Sequence, residues 1–278
     1  GDSHFVTKVP DNDIARCAVA TLRKYGVDTG GIVWGGERIG VFYVEKGASQ
    51  RPSKVIYDRK HTAIAEAKPE DFNWDKLLDG ADFFHFTGIT AALSDNMPII
   101  LEDAIKTAKR KKVAISCDLN YRKNLWSERK ARAVMEKLIN GIDLLIANEE
   151  DSEKVLGIKA ENTNVETGTL HYPSYVNVAQ QLCEKYSIKQ AAISLRRSIS
   201  ASDNEWSAMF YDNHQAYFSQ KYNIHIVDRV GGGDSFAAGL IYGIGMNWDA
   251  QRIIEFASAA SCLKQTMEMD FNLATVEE

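Results

Sequence analysis

From about residue 80 the chain alternates short apolar runs with longer helical ones, and this alternation limits the fold more than any other feature. Phe83-Phe84-His85-Phe86, Val113 to Leu119, Asp143 to Ala147 and Gln190 to Leu195 each read as a buried strand. Met97 to Lys111, Glu128 to Gly141, Glu149 to Leu156 and Tyr175 to Tyr186 read as the helices between them, the first ending in a basic turn that suits the helix dipole. Strands that are apolar throughout need cover on both faces, which points to an α/β fold with a parallel sheet between two helical layers. Ligands in such sheets bind beyond the carboxyl ends of the strands. The polar residues directly after each strand are therefore the first candidates for a site: Asp118-Leu-Asn120-Tyr-Arg122, Asn148-Glu-Glu-Asp151 and Arg196-Arg197-Ser198.

The first third of the chain does not share this rhythm. Phe5 to Val9 reads as a strand, and Asp11 to Tyr25 as a helix closed by Gly26, with Ile14, Cys17, Ala18, Thr21 and Leu22 at helical spacing. Ile39 to Glu45 and Lys54 to Arg59 read as two strands joined by the turn at 47–53, a hairpin that would form a small lid inserted at about 30–65. The length of 278 residues, with 45% hydrophobic and 26% charged, suits one globular domain and excludes disorder, collagen and coiled coil as the overall class.

The net charge of −5 gives no basic surplus of the kind that phosphate-neutralising nucleic-acid binders carry, so no nucleic-acid partner is expected. No apolar run approaches the roughly 18 residues that span a bilayer, so no membrane partner is expected either. The cysteines, Cys17, Cys117, Cys183 and Cys262, form no CxxC pair and lie in apolar contexts. They read as buried free thiols, which suits a cytoplasmic protein. His85, on an apolar strand, reads as a packed core histidine.

The strongest local signal is Gly231-Gly232-Gly233-Asp234, which opens a helical run to Gly243. Glycines permit tight turns and positive φ. A helix start presents unpaired amides and the positive end of the dipole, which together make an anion site. Asp234 beside that site reads either as a helix cap or as a general base taking a proton from a hydroxyl that attacks a phosphoryl group. The turn is not the GxxxxGK[ST] of a P-loop.

This segment resembles the second signature of the PfkB (ribokinase-like) carbohydrate kinases. The segments at Phe5 to Asp13, Gly47 to Arg59, Asp118 to Trp126, Leu195 to Asp203 and Asp270-Phe-Asn272 are similar to the 2-keto-3-deoxygluconate kinase branch of that family. The resemblance covers essentially the whole chain. It implies a ribokinase-like three-layer sandwich with a mostly parallel central sheet and a small β-strand lid. It also implies ATP as phosphoryl donor, Mg²⁺ as cofactor, and a sugar acid phosphorylated on a primary hydroxyl.

The resemblance further assigns roles. Asp234 matches the family's catalytic base, and Gly231, Gly232 and Gly233 its anion hole. Tyr57, Arg59, Arg122 and Asp270 match substrate-binding positions. A hydroxyl and a guanidinium at i and i+2 on one strand face suit a carboxylate and its neighbouring keto group, whereas a neutral sugar would not need the cation. Without the resemblance, Tyr57 and Arg59 read equally as an exposed strand face and Arg122 as a solvated arginine. Asn120, Asn148, Ser194, Arg196, Arg197, Ser198 and Ser258 match nucleotide-side positions. Asn148 to Asp151 matches an NxxE motif that organises Mg²⁺ through water, with Asp in the fourth place. Glu150 and Asp151 are the metal candidates, or simply the acidic first turn of a helix.

The alternatives are a fructokinase- or ribokinase-type kinase of the same fold, and a sugar-binding regulator without catalysis. Because two-stranded appendages rarely stand alone, the lid is expected to pair between subunits of a homo-oligomer. Family members usually carry a further segment with the first strand, a sugar-contacting acidic residue and a Gly-Gly element. None of these precedes Phe5 here, so the resemblance leads us to expect that edge of the pocket outside this sequence.

Overall fold

The computed structural model describes residues 1–148, 150–160 and 171–278. The chain opens with strand β1 (Lys8–Val9), helix α1 (Asp13–Lys24) and strand β2 (Val33–Trp34). Only Lys8–Val9 of the strand-like run from Phe5 pairs, parallel to β2 in a small separate sheet. Asn12 caps α1 by accepting the Ala15 amide. The helix turns Ala15 and Val19 inward against Val9 and Ile32. The expected stripe is thus rotated by one residue, leaving Ile14 and Cys17 exposed. The other three cysteines are buried, as expected. Lys8 Nζ donates to Asp71 Oδ2 at 2.7 Å, tying β1 to the turn at Pro69–Asp71.

The hairpin strands β3 (Val41–Glu45) and β4 (Lys54–Asp58) pair antiparallel, Phe42 opposite Tyr57 and Tyr43 opposite Ile56. Because side chains alternate along a strand, Phe42 and Tyr57 share one face of the lid and Tyr43 and Ile56 the other.

The short helix α2 (Trp74–Leu77) leads into the alternating part: β5 (Phe83–Thr87), α3 (Gly88–Ala92), α4 (Met97–Lys111), β6 (Ala114–Asp118), α5 (Glu128–Leu138), β7 (Leu144–Asn148), α6 (Asp151–Leu156), α7 (Tyr172–Tyr186) and β8 (Gln190–Ser198). Then come β9 (Asp203–Tyr211), β10 (Ala216–Phe218), β11 (Tyr222–His225), α8 (Gly232–Gly245) and α9 (Ala250–Gln265). Among the described residues, seven strands form the central sheet in the order β10-β9-β8-β7-β6-β5, with β11 also on β9. Strands β5 to β8 are parallel, while β9 runs antiparallel to β8, β10 and β11.

Alternate residues of each strand go to opposite layers, which is why the strands are apolar throughout. Leu145 and Ala147 of β7 pack with α4, α5, α6 and α7. Leu144 and Ile146 pack with α8 and α9. The result is the ribokinase-like three-layer arrangement. His85 does not pack as expected: it lies on β5, the last strand on the β5–β10 path, and is exposed there, with Nδ1 2.8 Å from Ser116 Oγ. Among the described residues no helix is long and apolar enough to cross a membrane.

Candidate active site

The parallel register aligns the strand ends: Thr87 stands opposite Asp118, Asp118 opposite Ile146, and Asn148 opposite Ser194. A cavity of about 640 Å³ opens there, walled by these ends, the turn before α8 and the inner face of the lid. The structure brings Tyr57, Arg59, Asn120, Arg122, Asn148, Glu150, Asp151, Ser194, Arg196, Gly231, Gly232, Gly233, Asp234 and Asp270 onto its wall.

Gly231 is the N-cap of α8 with φ +80°, a left-handed conformation that costs glycine little. Its backbone also abuts the Asp270 carbonyl, so no side chain fits there. No side chain caps this helix, and Asp234 stands inside the first turn, exposed to the cavity. Of the two roles open to Asp234 in the sequence, the cap position belongs to Gly231. The turn is braced from behind by Asp228 Oδ1, which accepts the Val230 amide at 3.1 Å, and by Ser261 Oγ, which donates to the Gly232 carbonyl at 2.8 Å.

Beyond β7, Asn148 Oδ1 accepts the amides of Glu150 and Asp151 at 2.9 and 3.0 Å. Asp151 is buried and returns the contact, accepting the Asn148 and Tyr121 amides at 3.3 Å each. Burial raises its carboxyl, against the pull of those amides and of Arg122. Glu150 is ion-paired with Lys154. Glu149 lies outside the described residues. Asp118 heads one of the candidate segments after a strand but receives no role from the sequence, and its carboxyl is pushed well above the usual range, first by burial and then by Asp151 and Asp234. The signal available was its place directly after a buried strand.

On the lid, the Arg59 guanidinium stacks over the Tyr57 ring at 4.2 Å. Burial and the nearby charge of Arg122 both lower its pKa. Both guanidiniums line the cavity, with Tyr57 beside Arg59, and they are near enough for their charges to interact.

Three expected nucleotide contacts are not on the wall. Strand alternation sends Arg196 into the cavity and Arg197 to the other face, where it pairs with Glu205 at 3.4 Å. Ser198 is exposed beyond the wall, and Ser258 is fully buried in α9. The structure adds Arg229 instead, which anchors to the Ser200 and Ala201 carbonyls at 3.3 and 3.1 Å and lies near enough to Arg196 for the two charges to interact.

Comparison with known proteins agrees with this architecture. A crystal structure of 2-dehydro-3-deoxygluconokinase from Thermotoga maritima is 53% identical to the chain, superposes with a TM-score of 0.95, and is matched over 99% of this chain and 83% of its own. A 2-dehydro-3-deoxygalactonokinase from Haloferax volcanii is 26% identical over 275 residues, 99% of this chain and 79% of the relative. A 2-dehydro-3-deoxygluconokinase from Thermoproteus tenax is 28% identical over 263 residues, 93% of this chain and 72% of the relative. Residues 1–268 match the profile described as pfkB family carbohydrate kinase, and the chain belongs to that family.

Proposed function

We propose that the chain transfers the γ-phosphoryl group of ATP to a primary hydroxyl of 2-dehydro-3-deoxygluconate, also called 2-keto-3-deoxygluconate. The observation that carries this reading is the convergence of Arg59 and Arg122 at the lid end of the cavity. Two neighbouring guanidiniums repel unless an anion lies between them, and a carboxylate accepts both. The names of the Thermotoga and Thermoproteus relatives support the same substrate class.

In this reading Arg59, Arg122 and Tyr57 orient the carboxylate and keto end, and Asp270 accepts hydrogen bonds from sugar hydroxyls. Asp234 takes the proton of the attacking hydroxyl. The amides of the glycine turn receive charge that develops on the transferring group. Asn120, Asn148, Ser194, Arg196 and Arg229 line the side that receives the nucleotide.

The donor set fits Mg²⁺. Asp118 and Asp151 sit close enough to interact unfavourably, which a divalent cation relieves. Asp118 and Asp151 would hold it, with Glu150 beside them. When bound, Mg²⁺ supplies positive charge to the phosphate oxygens.

ADP release with Mg-ATP and a sugar panel tests the reading. We expect kcat/KM for 2-dehydro-3-deoxygluconate to exceed that for fructose and ribose by about 10²-fold, the scale of leaving a buried charged group unpaired. Preference for a neutral sugar would overturn it. Preference for the epimer 2-dehydro-3-deoxygalactonate, the substrate named for the Haloferax relative, would keep the carboxylate argument and move the specificity.

A further inference from the structure

Lys264 is one of the largest fully buried side chains among the described residues, with an exposure of 0%. A lysine is almost never buried without a partner that offsets the lost hydration. Its Nζ donates to two backbone carbonyls, Asp228 at 3.4 Å and Met267 at 3.3 Å. Those carbonyls belong to the two segments that frame the glycine turn: 228–231, which enters α8, and 267–270, which ends at Asp270. The two segments touch at Gly231, where a Cβ would fall 2.2 Å from the Asp270 oxygen and 3.2 Å from Lys264 Cε. The ammonium therefore sits directly behind the anion hole.

Its neighbours on α9 grip the same turn. Ser261 holds the Gly232 carbonyl, and the Gln265 carbonyl accepts the Val227 and Asp228 amides at 2.8 and 3.2 Å. Lys264 also lies in the last turn of α9, where the helix dipole favours a cation. Burial lowers its pKa, while Asp228 and Asp270 act to keep it charged against the repulsion of Lys46.

We propose that Lys264 is a positioning residue whose buried ammonium acts as a built-in monovalent cation, clamping the 228–231 and 267–270 segments so that the glycine turn keeps its shape. Carbonyl oxygens around a compact cation are also the surroundings that hold potassium or ammonium ions. The side chain supplies by covalent attachment what a dissolved ion would supply by binding. This inference rests on the kinase reading of the glycine turn.

The test compares wild type, Lys264→Ala and Lys264→Met in sodium, potassium, ammonium and tetramethylammonium chlorides. The wild type is expected to turn over at the same rate in all four. Lys264→Met, which refills the volume without charge, is expected to lose about 10²-fold in kcat, the scale of a small misplacement of reacting groups, with the sugar KM within about threefold. Lys264→Ala is expected to regain turnover in ammonium or potassium but not in tetramethylammonium. Its melting temperature should follow the same order, a readout that needs no turnover. The inference is overturned by wild-type activation with potassium, by Lys264→Met retaining wild-type kcat, by Lys264→Ala retaining wild-type kcat in tetramethylammonium, or by Lys264→Ala being indifferent to the cation in both turnover and melting. Absence of phosphoryl transfer by the wild type would remove the kinase reading, and the cation-selective melting of Lys264→Ala would still decide this one.

Discussion

A Cβ placed on Gly231 would stand 2.2 Å from the carbonyl oxygen of Asp270. The amide cradle and the residue proposed to hold the sugar are thus in backbone contact. Gly231→Ala must both push that carbonyl away and strain a φ of +80°. We expect kcat to fall by about 10²-fold with a rise in sugar KM. Steady-state kinetics with a circular-dichroism check of folding would measure this, and near-normal kcat would show that the contact is not needed.

Asp234 stands in the first turn of α8 without serving as its cap. Asp234→Asn keeps the shape and removes the proposed base. Turnover should drop by roughly 10²-fold or more, with ATP affinity largely kept. Loss of ATP binding with intact chemistry would reverse the assignment.

Arg59→Ala should raise KM for the acid sugar by about 10- to 10²-fold and leave turnover of a neutral sugar nearly unchanged. Arg59→Lys should recover only part of the loss, because an ammonium offers no planar fork and cannot stack on Tyr57 in the same way. Equal damage to acid and neutral sugars would sink the carboxylate argument.

The Lys8–Asp71 pair gives a pH dependence away from the site. Burial acts to raise the Asp71 carboxyl, but the Lys8 ammonium and the Lys68 amide outweigh it and hold it below its usual value. A carboxyl depressed in the folded state stabilises the fold fully above the unfolded carboxylate range, and that contribution is lost as pH falls through the folded value. Asp71→Asn should therefore cost about 1–2 kcal/mol near neutrality. The gap in Tm between wild type and variant should be constant above the ordinary carboxylate range and narrow as pH falls below about 4. A gap that stays constant as the solution is acidified below the carboxylate range would disprove the charge-linked role.

On the outward face of the lid, Tyr43 and Ile56 are 62% and 53% exposed. We propose that this face pairs with a second copy of the chain. Light scattering should report an oligomer for the wild type and a smaller mass for a Tyr43→Asp, Ile56→Asp double variant. A monomeric wild type at all concentrations would refute it.

Much of this was legible in the residue order. The cores of β6, β7 and β8 are buried on both faces, so their apolar runs announce themselves, and the glycine turn has few other uses. What a sequence hides is register and burial. Arg196 and Arg197 look alike until alternation on β8 sends one inward and the other to Glu205. Cys17 and Ile14 fit a helical stripe as well as Ala15 and Val19 do, and only packing against Val9 and Ile32 decides between them. Lys264 reads as an ordinary basic residue in the last turn of a helix, and its burial comes from segments that meet only in three dimensions.

The proposed anion hole is written in glycine, which has no side chain to vary. Its contour is imposed by Ser261, Lys264 and Gln265, one helical turn of α9 pressed against it from behind. The shape of the turn is therefore set less by the residues that form it than by those that mould it. Substitutions at Ser261 and Lys264 would thus reshape the turn from behind the cavity wall, where neither side chain lines the cavity.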